Sequence, residues 1–359
     1  MDVKRGPILF RVDATPAAYE PLYQCLSFAA ALQRRRRGTH FFSYLDPLSL
    51  AHCISRGNND WHPAEIPMGE TGDLNATLAQ VRRLNASAVV LYGDGITPDY
   101  INTIKAAGAL VILFDHRSHS NLAADIFVNP FASQFKKGFQ PVAGTQLLSG
   151  RKYAMVRGLY RRQRTIRAQE QPGPFRALVA FGDDDYADQT MERTQQLLQI
   201  ETVDKVSMLM RTHHNRYEEL KEFAADSNGR VEVITEHKEI MTRLVRGHFA
   251  LTSGDSWSLE MCCTGLPQLL LPSQPHHISS AKQMDSDGVA TYLGEAGKVT
   301  FDQLKEQVDL LLEDRMERLT MMRCARNRVD GRGGDRVVNG MEIMLHSPSR
   351  KQVGYAVAA

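Results

Sequence analysis

Two kinds of pattern are missing from this sequence: a membrane-spanning run and a set of paired cysteines. No stretch of about 18 apolar residues occurs, and the opening residues, MDVKRGPILF, do not form the apolar segment of an export signal. The five cysteines contain no CxxC pair, which argues against a zinc site and against a disulfide framework. These absences predict a cytoplasmic protein with reduced thiols and no membrane span.

An excess of charge of either sign is also missing. The chain has 43 Lys and Arg against 41 Asp and Glu, a formal net charge of +2, which gives no reason to expect nucleic acid as a partner. His213-His214 has no third ligand at metal spacing, so a surface or capping role is expected there. We expect no metal, with a paired-His metal site at His276-His277 as the alternative, and no motif indicates a cofactor. Arginines 34–37 end a predicted helix, where a solvated basic face is the expected role and a phosphate clamp the alternative.

Apolar runs alternate with helical segments in both halves of the chain. ILFRV, SAVVLY and ALVILF fall in the first half, and FRALVAF, HFALT and PQLLLP fall in the second. This alternation predicts an α/β fold class of two doubly wound, Rossmann-like domains with parallel sheets and a cleft between them. The predicted domains are residues 1–157 and 175–346, joined by a basic linker, 158–174, and followed by a flexible tail, 347–359.

The segment HFALTSGDSWSLEMCCTGLPQLLLP carries the strongest functional pattern. A buried strand leads into a turn at Ser253 and Gly254, and Asp255 or Ser256 caps the helix that follows. The free N–H groups of a helix start suit a diphosphate, and Glu260, farther along the helix, suits the hydroxyls of a ribose. A capped structural helix with an exposed glutamate explains the same residues, so both interpretations stay open.

This segment resembles the nucleotide site of the GT-B glycosyltransferase-like superfamily. It is most similar to the UDP-sugar hydrolases of pseudaminic acid biosynthesis and the related spore-coat polysaccharide proteins, which have GGST-x-WE-x-CCLGLP here. Other segments resemble the same family in the same order: Phe10–Thr15, Cys25-Leu26 with Ala29, Phe114–Arg117 with Ala124, Asp125 and Asn129, Tyr153–Arg157, Phe181–Asp185 with Thr190, and Asp330–Gly334 with Arg336-Val337.

The resemblance implies a GT-B-like fold and a UDP or UDP-sugar partner. The nucleotide-binding residues that it implies, together with the pattern above, are Gly182, Ser253, Gly254, Asp255, Ser256, Glu260 and His277.

The first half departs from the family at the position of its catalytic base. Family members have G-x-G-H between the Asp of the first strand and the Cys of the first helix, and the resemblance implies that this His activates water. Here the interval from Thr15 to Gln24 contains no glycine and no histidine, and the His position falls on Pro21 or Leu22. The chain therefore lacks the base that its relatives use.

Glu20 and Asp13 are the remaining candidates for a base in this loop. Glu20 could activate water, or it could be an ordinary first-turn carboxylate of the helix. Asp13, at the end of the first strand, could act on the substrate or could anchor the loop by hydrogen bonds.

Three functions stay open. They are a UDP-sugar hydrolase with a displaced base, a glycosyltransferase of related fold, and a nucleotide-sugar-binding protein without turnover, in a regulatory or scaffolding role. In a transferase, Glu20, Asp13, Asp94 or His116 could be the base for an acceptor hydroxyl. The resemblance implies a nucleotide-sugar-acting enzyme of bacterial surface-glycan synthesis, with the non-catalytic protein as the alternative.

Overall fold

A computed structural model gives the structure of the protein. It describes residues 6–15, 19–114, 122–131, 142–166, 172–182, 188–211, 214, 216–235, 237–272 and 274–347. The chain divides into two compact units, the first formed by the residues up to Met155 and those from Arg332 onward, the second by Val156–Gly331. Within the described ranges, no helix combines the length and the apolar character needed to cross a membrane.

The first unit is built on a parallel sheet. Its seven strands, counted over the described residues, have the order β3-β2-β1-β4-β5-β6-β7. They are β1 (Ile8–Val12), β2 (Thr39–Ser43), β3 (Asp60–Pro63), β4 (Ala88–Tyr92), β5 (Leu110–Phe114), β6 (Ile126–Asn129) and β7 (Gln146–Ser149). The intervening helices are α1 (Glu20–Arg34), α2 (Ala51–Arg56), α3 (Asp73–Leu84) and α4 (Pro98–Ala106). The central strands β1, β4 and β5 are buried along their whole length, which is why they consist almost entirely of apolar residues.

The second unit repeats this architecture with a smaller sheet. Its six strands, again among the described residues, have the order β10-β9-β8-β11-β12-β13. They are β8 (Phe175–Ala180), β9 (Val203–Leu209), β10 (Val231–Ile234), β11 (Phe249–Thr252), β12 (Gln268–Leu270) and β13 (Thr291–Tyr292). The helices are α5 (Gly158–Ile166), α6 (Gln189–Leu198), α7 (Tyr217–Ala225), α8 (His237–Arg246), α9 (Ser256–Thr264), α10 (Pro275–Ser286), α11 (Phe301–Glu313) and α12 (Arg315–Arg328).

Helix α5 occupies much of the segment for which the sequence predicts a linker. The side chain of Arg164 donates to the carbonyl oxygens of Cys263, Arg326 and Val329 at 3.2, 2.9 and 2.9 Å. These carbonyls lie at the carboxyl ends of α9 and α12, where a cation is favoured by the helix dipole. A basic composition therefore marks a docked helix here, and residues 167–171 of the predicted linker lie outside the described residues.

The last helix, α13 (Gly333–Leu345), packs against α1 in the first unit. Arg37 donates to both carboxylate oxygens of Glu342 at 2.7 and 2.8 Å, and Arg34 pairs with Asp335 at 2.7 Å. The sequence-based boundary at residue 346 counts this helix with the second domain and predicts that the C-terminal helices reach back toward the first; by its contacts, α13 belongs to the first unit. Arg34 and Arg37 therefore hold α13 against the first unit. This role differs from the solvated basic face that the sequence predicts for arginines 34–37.

The order of the strands locates the candidate sites. In both sheets the chain moves outward through three strands and then crosses to the other side of the first one. Doubly wound sheets bind ligands beyond the carboxyl ends of the strands at this point of reversal. It lies between β1 and β4 in the first unit and between β8 and β11 in the second. The predicted α/β class with two doubly wound sheets is confirmed.

Candidate functional site

Two glycine-containing turns meet at the point of reversal in the second unit. Gly182 follows β8 with a φ of 86°, and Gly254 follows β11 with a φ of 82°. A Cβ atom added to Gly182 would lie 3.0 Å from Oδ2 of Asp255, so the close approach of the two turns depends on a glycine. The structure therefore brings Gly182 together with the Ser253–Asp255 turn. Asp183, Asp184 and Asp185, which follow Gly182, lie outside the described residues.

A chain of hydrogen bonds fixes the start of α9. Oδ1 of Asp255 accepts from the backbone N–H of Ser258 at 3.2 Å, as a helix cap does. The Ser258 hydroxyl accepts from the N–H of Gly254 at 3.0 Å and donates to the Thr252 hydroxyl at 2.8 Å. The first helical residues, Ser256 and Trp257, have N–H groups without a carbonyl partner inside the helix. The turn is thus held in one conformation with a positive helix end at the sheet edge.

The cap of α9 is a buried carboxyl group. Burial raises the pKa of Asp255 to about 6, against the opposing effects of the Ser258 N–H, the Ser253 hydroxyl, the Trp257 N–H and the positive charge of Arg211. At neutral pH the group is therefore mostly charged, and it loses this charge just below neutrality. The charged form of Asp255 would repel an anion that binds at this helix start, whereas the protonated form could donate a hydrogen bond to it.

Glu260 is engaged by an arginine that sequence analysis missed. Oε1 accepts from the backbone N–H and the Nε of Arg157 at 3.1 and 2.8 Å, and Oε2 accepts from Nη2 at 2.5 Å. Both side chains are largely buried, at 6% and 16% exposure, so the exposed-glutamate alternative is wrong. The Tyr160 side chain is a further hydrogen-bond partner of this carboxylate, and its hydroxyl accepts from Nη2 of Arg157 at 2.9 Å. The carboxylate of Glu260 and the guanidinium of Arg157 therefore form an ion pair, and a ligand that contacts one group would also lie close to the other.

Two guanidinium groups lie close to the ring of Trp257. The Cζ atoms of Arg157 and Arg211 lie 5.5 and 5.6 Å from the centre of its ring, and Arg157 also lies 4.8 Å from the ring of Tyr160. Such distances are typical of cation–π contacts. Burial raises the pKa of Tyr160, so its phenol stays protonated near neutral pH. The chain has two tryptophans, and Trp257 directly follows the predicted cap, Asp255 or Ser256. The rarity of tryptophan at this position is the feature of the sequence that could have indicated the cluster.

His277 belongs to α10, whose start packs beside the Gly254 turn. A Cβ atom added to Gly254 would lie 4.0 Å from the backbone oxygen of His277 and 3.5 Å from Cβ of Ala281. The imidazole of His277 is buried. The side chain of His276 and the whole of His213 lie outside the described residues. No group of three or more His, Cys, Asp or Glu side chains in the described ranges has an arrangement that could hold a metal ion.

Asp13 is tied into the first unit by several donors. It accepts from both terminal nitrogens of Arg11, from the N–H of Tyr44 at 2.9 Å and from the N–H of Met68 at 2.6 Å. Arg11 is fully buried and also donates to Asp73 at 2.8 Å. These contacts are those of an anchor between β1 and the segment that contains Met68, the second of the two roles considered for Asp13.

Two glycine-containing turns meet next to this anchor, at Gly69, which follows Met68, and at Gly95. A Cβ atom on Gly69 would lie 2.7 Å from the Cα of Gly95, and one on Gly95 would lie 2.8 Å from the Cα of Gly69. Both residues have positive φ values, of 87° and 82°. Asp94, beside Gly95, is exposed directly after β4 at the point of reversal of this sheet.

Glu20 is the first residue of α1, where a carboxylate is favoured by the helix dipole. Its Oε1 accepts from Nε2 of Gln24 at 2.7 Å, one helical turn away. Residues 16–18 of the opening loop lie outside the described residues, and so does His116. The role of Glu20 as a base stays a prediction.

No family model matches the sequence, and no curated relative matches it. Solved structures do match its fold. MurG of Acinetobacter baumannii is 14% identical over 94% of this chain and 99% of that chain, with a TM-score of 0.65. A protein named as a UDP-N-acetylglucosamine 2-epimerase from Listeria monocytogenes is 12% identical over 96% and 97% of the two chains, with a TM-score of 0.65.

The spinosyn rhamnosyltransferase SpnG, solved with thymidine diphosphate, is 11% identical over 94% of this chain and 100% of that chain, with a TM-score of 0.65. These likenesses extend over both units of the chain. The protein has the GT-B fold. At such low identities the neighbours establish the architecture, and the identity of the substrate rests on the site.

Proposed function

We propose that this protein binds a UDP-sugar through its second unit and transfers the sugar to an acceptor in bacterial surface-glycan synthesis. The observation that carries the proposal is the position of the Ser253–Ser256 turn. It joins β11 to the start of α9 at the point of reversal of the sheet, beside Gly182, where a helix end and close backbone approach favour a diphosphate.

The charges around this turn support a diphosphate ligand. Arg157 and Arg211 both lie against Trp257, in the first turn of α9. Glu260 is the proposed contact for the ribose hydroxyls, with Arg157 sharing its carboxylate. His277 is the proposed contact from α10. One structural neighbour was solved with thymidine diphosphate, and another is named for a UDP-sugar substrate. Their shared fold supports the proposal that this protein also binds a nucleotide.

The hydrogen bonds of the carboxylates Asp13 and Glu20 in the first unit favour transfer to an acceptor over hydrolysis. Hydrolysis of the pseudaminic-pathway type needs a base that activates water. Asp13 is occupied by Arg11 and two backbone N–H groups, and Glu20 accepts from Gln24. Asp94, which is exposed after β4, is the proposed base for an acceptor hydroxyl.

A nucleotide-sugar-binding protein without turnover is the second candidate. The same occupation of Asp13, together with the absence of a histidine between Thr15 and Gln24, favours it. The two candidates share the second unit and differ only in whether a sugar leaves the nucleotide.

Calorimetry on the full chain tests the binding. We expect UDP to bind more tightly than ADP or GDP, and the Glu260→Gln variant, which keeps the shape of the side chain, to bind UDP about tenfold more weakly. Equal affinity of the wild type and this variant for UDP would contradict the proposed ribose contact.

Release of UDP from UDP-sugars tests the chemistry. We expect slow release by the wild type in water and faster release when a mixture of sugar acceptors is present. Asp94→Asn should abolish the acceptor-dependent part, with Asp99→Asn on the neighbouring helix as the control. Rapid release in water that Glu20→Gln abolishes would instead make the protein a hydrolase with a displaced base. Tight UDP binding with no release under any condition would favour the binding protein.

A further inference from the structure

A buried ion network joins the first strand to the chain that precedes α3. Arg11 of β1 is fully buried, its Nε donates to Oδ1 of Asp73 at 2.8 Å, and both of its terminal nitrogens donate to Asp13. A buried ion network adds little net stability over well-packed apolar residues, because desolvation of the charges offsets their attraction. The more specific consequence of this network is the position of the backbone groups that its members bind.

The network holds the loop between β3 and α3 at three points. A terminal nitrogen of the arginine donates to the carbonyl oxygen of Ile66 at 3.0 Å. The N–H of Met68 donates to Oδ2 of Asp13 at 2.6 Å, and the N–H of Gly69 donates to Oδ2 of Asp73 at 2.9 Å. Hydrogen bonds to charged groups are stronger than those between neutral groups. The backbone of this loop is therefore fixed by the charges of the network.

The loop lies directly against the turn that follows β4. A Cβ atom on Gly69 would lie 2.7 Å from the Cα of Gly95, and one on Gly95 would lie 3.1 Å from the carbonyl oxygen of Met68. A Cβ atom on Gly93 would lie 3.1 Å from Sδ of Met68. The loop and the turn thus approach more closely than side chains at these glycines would allow. A displacement of the loop would displace the turn, which has Asp94 at its centre.

A second connection joins the network to the far end of this turn. The Thr77 hydroxyl donates to Oδ1 of Asp73 at 3.3 Å and lies 2.8 Å from the hydroxyl of Tyr100. Tyr100 lies in the first turn of α4, and its N–H donates to the hydroxyl of Thr97, the cap of that helix. Burial raises the pKa of Tyr100, so its phenol stays protonated near neutral pH and can donate to Thr77. Asp73 is therefore connected to the chain on both sides of Asp94.

We infer that Arg11 is a positioning residue for Asp94: together with Asp13 and Asp73, it fixes the loop and the helix that flank the turn carrying this carboxylate. This inference rests on the proposed function, because Asp94 is the proposed base for an acceptor hydroxyl. It assigns to the network an effect on the rate of transfer. It assigns none on the binding of the nucleotide, whose proposed contacts belong to the second unit.

Replacing Gly69 by alanine tests the link to the turn and leaves the ion network in place. With the UDP-sugars and the acceptor mixture that test the proposed function, Gly69→Ala should lower the acceptor-dependent kcat about 10- to 100-fold, because a misplacement of about 1 Å can cost that much. The affinity for UDP, measured by calorimetry, should stay within about twofold, since changes at independent sites do not couple.

Gly108→Ala is the matched control in the same unit. Gly108 has a φ of 92°, close to the 87° of Gly69, but a Cβ atom on it would meet no atom within 4 Å. The control therefore shares the backbone strain of Gly69→Ala without the contact to the turn. We expect it to leave kcat and the affinity for UDP unchanged.

Nuclear magnetic resonance tests the network without catalysis, on full-length protein labelled with ¹⁵N in its 26 glycines. In Arg11→Met, the heteronuclear NOE should fall at Gly69, Gly93 and Gly95, because the loop loses the charges that hold it. Arg11→Lys should give a smaller decrease, since an ammonium group keeps the charge but lacks the planar fork that reaches two carboxylates. Gly108 is the reference signal and should not change.

The outcomes separate a positioning role from a merely structural one. Loss of order at Gly69 alone in Arg11→Met would overturn the inference, because the network would then fix the loop and not the turn. An unchanged kcat in Gly69→Ala, or a loss of UDP affinity as large as the loss of kcat, would overturn it too. If Arg11→Met does not fold, labelled Gly69→Ala replaces it, and Gly93 and Gly95 should lose order there.

The proposed function fails separately. A wild type without acceptor-dependent release of UDP would contradict the transferase. Loss of order at Gly93 and Gly95 in Arg11→Met would still support the positioning of the turn by Arg11, and unchanged order there would contradict it.

Discussion

Replacing Asp255 by asparagine removes the charge of the α9 cap and keeps its shape. Asparagine caps helices about as well as aspartate does, so the hydrogen bond from the Ser258 N–H, at 3.2 Å, has an acceptor in both proteins. What changes is the buried negative charge beside the Gly182 turn. The variant therefore isolates the electrostatic cost of the carboxylate from its role in the helix.

The size and sign of the effect follow from the pKa of Asp255. Burial raises it from 3.8 to about 6, roughly two units, and each unit corresponds to about 1.4 kcal/mol, so the ionised form costs about 3 kcal/mol. The folded state holds its proton up to a higher pH than the unfolded state does. The stability contributed by the protonated carboxyl is therefore complete below about pH 4 and is lost as the pH rises through about 6.

Asparagine resembles the neutral form at every pH. We expect Asp255→Asn to be more stable than the wild type by up to about 3 kcal/mol at pH 8 and by only about 1 kcal/mol at pH 4.5. The affinity for UDP should likewise rise in the variant at pH 8, because a repelling charge is gone. A phosphate group titrates near pH 6 itself, but it does so equally in both proteins.

Urea unfolding followed by tryptophan fluorescence measures this difference. The two tryptophans lie one in each unit, Trp61 in β3 and Trp257 in α9, so a Trp61→Phe background makes the signal report the second unit. The reasoning would be refuted if the stability difference between Asp255→Asn and its parent were constant from pH 4.5 to 8. A difference that grew toward low pH would refute it too.

Three further predictions concern other contacts. A double-mutant cycle on Arg157→Ala and Glu260→Ala should give a coupling of about 1–3 kcal/mol in unfolding experiments, because each single change leaves a largely buried charge; additive effects would contradict the pair. Arg37→Ala should destabilise the first unit by about 1–2 kcal/mol, less at high salt, as a half-buried bidentate pair is lost; salt-independent loss would contradict this. Gly182→Ala should weaken UDP binding, whereas Gly297→Ala, also at positive φ but in open space, should not, as calorimetry can show.

The strands that could be predicted from the sequence are those buried on both faces. ILFRV, SAVVLY and HFALT are continuous apolar runs, because a parallel sheet covered by helices gives each strand two apolar surroundings. β3 has the sequence DWHP and lies mostly exposed at the sheet edge, so no apolar pattern marks it. The fold class predicts that a ligand site lies where the strand order reverses. The turns that follow the strands in the sequence then indicate which residues meet there.

Pairings over long stretches of chain could not be predicted. Glu260 stands out in the sequence, but its partner Arg157 is 103 residues away and falls at the end of the first predicted domain, 1–157. Arg11 lies inside an apolar strand, where a charged residue has no pattern of its own, and its burial between Asp13 and Asp73 depends on how three segments fold together. Each of these contacts depends on tertiary packing, and the local periodicity of the sequence carries no information about it.

The docking of α13 on α1 also determines the order in which the protein can assemble on the ribosome. All residues of the second unit leave the ribosome before α13 does, because α13 follows Gly331 in the chain. The second unit can therefore complete its fold during synthesis. The first unit, although its sheet is made earlier, waits for α13, and until then Ala31 of α1 and Arg37, which follows α1, are uncovered. The half of the protein that is translated first is thus the half that is finished last.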